Sequence, residues 1–350
     1  MNSNRSTPPS KSSHRLPADT TVSGRRRAVH ALIASVALAG ICGVGAPAYS
    51  AGQEFPTKLV RIIVPNPAGG ASDVVARLLA QKLSEEWKQP VVVENRAGAN
   101  GNIGASLVAK SDPDGYTLLL MDASSLAISS SLYPTLNYSP EKDLAPIAIA
   151  AYSPHLLVVK NDLPVQTVQE LAAYARANPG KLNFGQTPGA ITHLAGVLLA
   201  EQQGFSWNYI GYKGGAQVIS DLAGGQIDVA MNSFLATYPL VKGGNIKMLA
   251  VASPTRFGQI PDTPAIAETV PGFVTGSWQG LFTTGGTPPE RVRKIHDDIK
   301  RITAMPDVQK RLAELGSEPV NKTPDEFRAW MAEQTGYWGK VVRDNDIKLM

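Results

Sequence analysis

The chain has 350 residues, 43% of them apolar and 18% charged, a globular composition rather than a disordered one. Six of its 33 Lys/Arg but only one of its 29 Asp/Glu fall in residues 1–51. The basic balance therefore belongs to the leader, and the near-neutral remainder lacks the charge that a nucleic-acid-binding face requires.

The leader has the form of a secretory signal with an N-terminal extension, residues 1–51. Arg25, Arg26 and Arg27 precede an apolar run at 31–44, shorter than the roughly 20 residues of a membrane span. Ala46-Pro47-Ala48 is a small-residue cleavage site, and Ser50-Ala51 is an alternative. The paired arginines leave the general and the twin-arginine export routes both open. The single cysteine, Cys42, follows Ile41, which argues against lipidation. The mature chain then holds no cysteine, which excludes disulfides, thiol catalysis and Cys-bound metals. A soluble, exported protein is expected.

From residue 59 onward, strand and helix patterns alternate. LVRIIV (59–64) predicts a strand, followed by a helix from Ser72 or Asp73, either of which can cap it, to about Trp87. VVVEN (91–95) predicts a strand and GNIGASLVAKS (101–111) a helix. YTLLLMD (116–122) is a strand pattern with a Ser-rich segment after it, and PIAIAAYSPHLLVVK (146–160) a long extended run. TVQELAAYARANPG (167–180) is a helix with Thr167 as N-cap and Glu170 at the capping-box position. Strand patterns at 182–186, 207–212, 227–232 and 246–253 are interleaved with helical ones at 193–204 and 217–225. GSWQGLFTT (276–284) is a candidate crossover, and three helices follow, over 289–304, 307–315 and 323–344, the last capped by Thr323. Alternation of this kind predicts an α/β protein with mostly parallel sheets, and the length argues for two such domains.

Four strand ends carry small-residue loops that lead into helices: VPNPAGGASD (64–73), ENRAGANGNIGA (94–105), NFGQTPGAITH (183–193) and YIGYKGGAQ (209–217). Ligands of open α/β sheets bind beyond the carboxyl ends of the strands. The first N–H groups of a helix have no intrahelical partner and accept anions. Each loop by itself reads equally as a tight turn. Ser124, Ser125, Thr187, Thr192 and the backbone of Gly214 and Gly215 are candidate donors. His193 reads as a ligand donor or as a structural hydrogen bond to a nearby loop, and Lys213 as a cation for a carboxylate or as an exposed lysine. Trp278 and Phe234 read as pocket walls or as core and hinge packing. The P-loop lysine, the GxGxxG dinucleotide fingerprint, the nucleophile elbow and the zinc motif HExxH are all missing. The three histidines after the leader, His155, His193 and His296, are scattered. No catalytic residue, metal or cofactor is expected.

The pieces PAGGASD, VVVENRAGANGNIGA and PDGYTLLL, followed by YKGGAQVISDLAGGQIDVAMNS, IKMLAVASPTR, PGFVTGSWQGLFTTGGTPPE and TPDEF, resemble the Bug-type solute receptors. These are the periplasmic binding components of tripartite tricarboxylate transporters. The resemblance runs from about residue 54 to the end. It implies an α/β, two-lobed periplasmic binding protein fold, type II-like, with the ligand cleft between the lobes. Lobe I would comprise residues 54–150 and 277–350, lobe II residues 151–276. It implies a small carboxylate ligand held by Pro67, Ala68, Gly69, Gly70 and Asp73 through backbone groups and ordered water. Ser124, Ser125, Thr187, Thr192, His193, Lys213, Gly214, Asn232 and Ser233 would complete the pocket. A monomer is implied, handing its ligand to cytoplasmic-membrane transporter subunits or, in a sensing receptor, to a sensor kinase. The rival reading is an exported α/β hydrolase or lyase. One loop departs from the family pattern. GQTPGAITHL (185–194) has Gln186 and Ile191 where small hydroxyl residues are frequent, so the distal end of the ligand is left open.

Overall fold

The computed structural model describes residues 55–133 and 135–347. The signal peptide expected at 1–51 lies outside the described residues. In chain order the elements are β1 (Val60–Val64), α1 (Ala71–Trp87), β2 (Val91–Asn95), α2 (Asn102–Ala109), β3 (Thr117–Asp122) and α3 (Ala123–Leu132). The long β4 (Leu144–Val159) follows, then α4 (Val168–Ala177), β5 (Asn183–Gln186), α5 (Ile191–Gln203), β6 (Asn208–Gly211), α6 (Gly215–Ala223), β7 (Val229–Ser233), α7 (Phe234–Lys242) and β8 (Lys247–Val251). The chain ends with β9 (Gly276–Thr284), α8 (Pro289–Thr303), α9 (Pro306–Glu314) and α10 (Pro324–Asp344).

Continuous apolar runs become strands covered on both faces, because successive side chains point to opposite sides. In β1, Val60, Ile62 and Val64 enter a core with Val75, Leu79 and Leu83 of α1 and Ile295, Ile299 and Ile302 of α8. Ile63 points the other way, into a core with Ala105 and Val108 of α2 and Leu126 of α3. β3 divides likewise, with Leu118 and Leu120 in the first core and Leu119 and Met121 in the second. Each such side chain contributes roughly 1.5–3 kcal/mol on burial. The two cores fix β1 and β3 and thereby fix where their carboxyl ends point.

The strand order is β2-β1-β3-β9-β4-β7-β5-β6, with β8 on the other side of β4. β4 belongs to two sheets. Its first part, Leu144 to Pro154, pairs with β9; its last part, His155 to Val159, pairs with β7 and β8. Register shifts between Pro146 and Ala148 and between Ile149 and Ala151 bend it. The expectation of mostly parallel sheets is corrected. Among the described residues, four pairings are parallel (β1–β2, β1–β3, β5–β6, β5–β7) and four antiparallel (β3–β9, β4–β7, β4–β8, β4–β9). The antiparallel ones all involve β4 or β9, and β9 is entered from β8 through residues 252–275, which hold no long helix.

Two helices depart from the sequence expectation. The Ser-rich segment after β3 is α3, and Phe234–Lys242 is α7 with Pro239 inside it. α1 begins at Ala71 with Gly70 in the cap position, so neither Ser72 nor Asp73 is the cap. Thr167 and Thr323 do cap α4 and α10 through side-chain bonds to the N–H of Glu170 and Glu326. Trp278 stacks on Tyr152 at 4.1 Å and contacts Trp330 at 5.0 Å, and Phe234 is buried against Tyr238 and Phe257. Both aromatics are packing residues.

Candidate functional site

The carboxyl ends of β1, β2 and β3 and those of β5, β6 and β7 border one cleft of about 470 Å³. From the first sheet come Asn66 and Pro67 after β1, the loop 97–101 after β2, Ser125, Ser129 and Leu132 of α3, and Tyr133 just past its end. From the second come Thr187, Gly189, Ala190 and Thr192 around the start of α5, then Lys213, Gly214 and Gly215 at the start of α6, and Asn232 at the end of β7. Of the residues singled out in the sequence, Pro67, Ser125, Thr187, Thr192, Lys213, Gly214 and Asn232 line the cleft. Ala68, Gly69, Gly70, Asp73, Ser124, His193 and Ser233 do not.

Among those outside the lining, Asp73, Ser124, His193 and Ser233 have structural roles. Asp73 is 3% exposed and accepts the Gly69 N–H at 2.9 Å, Arg77 Nε at 3.0 Å and Asn95 Nδ2 at 2.9 Å. Burial pushes its carboxyl up, yet the bonds from Arg77, Gly69 and Asn95 together outweigh burial and hold it below the usual carboxylate range. It ties the loop after β1 to α1 and β2, and the Gly69 N–H is thereby already engaged. Ser124 is buried, and its N–H, with that of Ser125, is taken by Asp122 Oδ1 at 2.8 and 3.3 Å. His193 Nδ1 accepts the Gly189 N–H at 3.3 Å while the ring lies edge-on to Tyr209 at 5.4 Å. Burial lowers its pKa to about 4, so the imidazole is neutral and braces the 187–190 loop. Ser233 is the cap residue of α7.

The second-sheet side is rich in open donors. α5 and α6 start at Ala190 and Gly214, neither of which makes a side-chain cap. The N–H groups of Ile191 and Thr192 and of Gly215, Ala216 and Gln217 therefore lack an intrahelical or capping oxygen and stand at the cleft, in the orientation that favours negative charge. At the first position of α6, a Cβ on Gly215 would lie 2.7 Å from Asn232 Oδ1, so a larger residue would displace that side chain or the helix start. The close approach lets Asn232 Nδ2 donate to the Gly215 carbonyl at 2.7 Å while its Oδ1 accepts the Ser233 N–H at 2.8 Å. Lys213 is the one cation of the lining and has no ion-pair partner among the described residues; the lining holds no Asp or Glu.

The first-sheet side is shaped by the loop after β2. Gly98, Ala99, Asn100 and Gly101 have φ of 135, 48, 50 and 95°, a run of left-handed backbone that costs the non-glycine residues on the order of 1 kcal/mol each. Asn102 holds it, donating to the Ala99 carbonyl at 2.9 Å and accepting the Tyr138 hydroxyl at 2.7 Å. Burial raises the pKa of Tyr133, opposed by the neighbouring Asn102 and Asn100 side chains. The glycine-rich loop was visible in sequence. The roles of Leu132 and Tyr133 were hidden, because the poor helix propensity of the Ser run concealed α3. Among the described residues no His/Cys/Asp/Glu group could hold a metal ion, and no helix is long and apolar enough to cross a membrane.

Two α/β sheets joined through β4 and β9, with strand-end loops from both facing one uncharged-to-basic cleft, are the construction of a solute-binding protein. The comparisons give the family. The profile of the tripartite tricarboxylate transporter family receptor, TctC, matches residues 75–347, and the chain belongs to that family. It is 35% identical to the protein BugT of Bordetella pertussis over 310 residues, covering 88% of this chain and 94% of BugT. Among solved structures it is similar to Rpa4515 of R. palustris, described with adipate, with a TM-score of 0.77 and 34% identity over 85% of this chain and all of that one. It is also similar to MatC of Rhodopseudomonas palustris, described with bound malate, with a TM-score of 0.72 and 30% identity over 82% of this chain and all of that one. The family is one of receptors rather than enzymes, so the hydrolase or lyase alternative is set aside. The chain is a solute-binding receptor.

Proposed function

We propose that this receptor captures a small organic anion, a carboxylate, in the cleft and delivers it to a tripartite tricarboxylate-type membrane transporter from the periplasm. One observation carries the reading: the cleft lining combines an unpaired lysine and two uncapped helix starts with no acidic side chain. A carboxylate placed there gains charge-assisted hydrogen bonds from Lys213 and from neutral N–H and hydroxyl donors, and it finds no like charge. The solved relatives described with adipate and malate support the chemical class.

In this reading Pro67, Ser125, Thr187, Thr192, Lys213, Gly214 and Asn232 contact the ligand or its bound water. Asp73, Ser124 and His193 hold the loops that present those groups. Residues 54–150 and 277–350 act as one lobe and 151–276 as the other, and bending at β4 and β9 closes them on the ligand as a monomer. The transporter favours the open form and takes the ligand.

Ligand binding to the folded state alone raises the melting temperature. A thermal-shift screen of mono- and dicarboxylates against sugars and cations is expected to give stabilisation by carboxylates only. Stabilisation by sugars or cations with none by carboxylates would overturn the reading.

A further inference from the structure

A second pocket, of about 180 Å³, shares no lining residue with the cleft. Its floor is the bend of β4. Between Pro146, paired with Phe282, and Ala148, paired with Leu281, Ile147 is one extra residue. The Ile147 carbonyl accepts His296 Nδ1 of α8 at 3.0 Å. Ala148 and Ile149 of the same bend line the pocket with His296, Ile299 and Thr303 of α8, all five buried. Lys300, Ala304, Gln309, Pro319 and Asn321 are exposed and form the mouth.

A carbonyl oxygen cannot donate, so Nδ1 carries the ring proton and Nε2 of the neutral His296 imidazole is bare. Nε2 has no hydrogen-bond partner among the described residues. Nor is it sealed in the core: the fully buried, partnerless side-chain atoms among the described residues are Gln186 Oε1, Thr237 Oγ1 and Gln279 Oε1. In a side chain that is 8% exposed, Nε2 opens into the pocket that the ring lines. The Thr303 hydroxyl gives its proton to the Ile299 carbonyl at 2.9 Å. The side chains of the floor thus accept hydrogen bonds and donate none.

We propose that this pocket is a second small-molecule site, for a single-ring compound that enters with a hydrogen-bond donor first, a phenol in its simplest form. The ring packs on Ala148, Ile149 and Ile299 while its hydroxyl donates to His296 Nε2. The size agrees, since an apolar cavity of about 150 Å³ takes a benzene molecule. A phenol exchanges a hydrogen bond to water for one to Nε2, and its ring gains apolar contact. Any far end of the ligand stays in water among Lys300, Gln309 and Asn321. The site is independent of the carboxylate reading of the cleft.

Isothermal titration calorimetry of the exported chain at about pH 8, above the usual imidazole range, tests it with phenol and anisole. Anisole keeps the ring and the oxygen but has no proton to give. Phenol is expected to bind saturably at a single site, and anisole about tenfold or more weakly. His296→Asn keeps a donor for the Ile147 carbonyl and lacks Nε2, and it should weaken phenol about tenfold or more. Ala304→Trp fills the mouth from an exposed position. It should abolish phenol binding with a melting temperature near that of wild type, and it also serves if His296→Asn melts early. Absence of phenol binding, equal affinity for phenol and anisole, or phenol binding that survives Ala304→Trp overturns the proposal. Phenol affinity indifferent to His296→Asn in a folded variant also overturns it.

Discussion

Asp73 shows how a single side chain can matter to a site it does not line. It stands at the third position of α1 and collects a backbone N–H, a guanidinium and an amide. Asp73→Ala leaves those three donors short of a partner and is expected to cost about 1–3 kcal/mol of stability. It should also weaken carboxylate binding, because the loop that carries Asn66 and Pro67 loses its tie to β2. Unchanged melting temperature and affinity would contradict this role. Asp122 behaves oppositely on titration. Burial raises its pKa to about 6 against the bonds from Ser277, Ser125, Ser124 and Trp278. An unfolded aspartate titrates near 3.8, so between the two values the folded state binds more protons than the unfolded one. Its contribution to stability therefore falls as pH rises from about 4 to about 6 and is constant above. Asp122→Asn keeps a good cap and cannot ionise. Relative to wild type, the variant should gain on the order of 2 kcal/mol between pH 4.5 and 7 in urea unfolding. A difference independent of pH would refute the assignment. His155 and His193, both lowered to about 4 by burial, lose stability as pH falls from about 6.5 to 4, and this loss is common to both proteins.

At the scale of elements, the helix starts decide the chemistry. Gly215 packs on its neighbour Asn232, and Gly215→Ala must displace either the Asn232 side chain or the start of α6. Carboxylate affinity is expected to fall by about tenfold with a smaller loss of stability, measured by calorimetry and thermal melting on one preparation. Retained affinity would show that the α6 start does not contact the ligand. At α10 the capping box of Thr323 and Glu326 is remote from the cleft. Thr323→Ala should cost about 1 kcal/mol and leave affinity unchanged. Most elements were legible in the sequence for a physical reason: β1 and β2 are apolar runs of β-branched residues, and α4 and α10 carry side-chain caps. α3 was not legible, because serine is a weak helix former and this helix is made by burial of Leu126, Ile128 and Leu132 and by the Asp122 cap. The candidate loops were legible as glycine clusters. Which of their atoms face the cleft was not, since that depends on pairings such as Asp73 with Gly69 and His193 with Gly189, which lie four residues apart and have no sequence signature.

Across the whole molecule, one core links elements that the family resemblance assigns to different lobes. Ile128 and Leu132 of α3, Leu194 and Leu198 of α5, and Trp338, Val341 and Val342 of α10 share it. Asn345, just past α10, also donates to Glu201 of α5 at 3.2 Å. Trp338→Ala removes a side chain that is 2% exposed and is expected to cost about 3–5 kcal/mol in urea unfolding; a loss below 1 kcal/mol would contradict a shared core. Leu132 belongs both to this core and to the cleft lining, so the α3 wall is firm while the strand-end loops supply donors. The central claim is that this cleft seats a carboxylate through Lys213 and the uncapped helix starts. Calorimetric titration of wild type and Lys213→Ala with the best carboxylate of the screen, and of wild type with its neutral amide, tests it most directly. The account predicts binding of the acid by wild type, about tenfold or greater loss in Lys213→Ala, and no measurable binding of the amide. Equal affinity for acid and amide, or an acid affinity indifferent to Lys213, would contradict it.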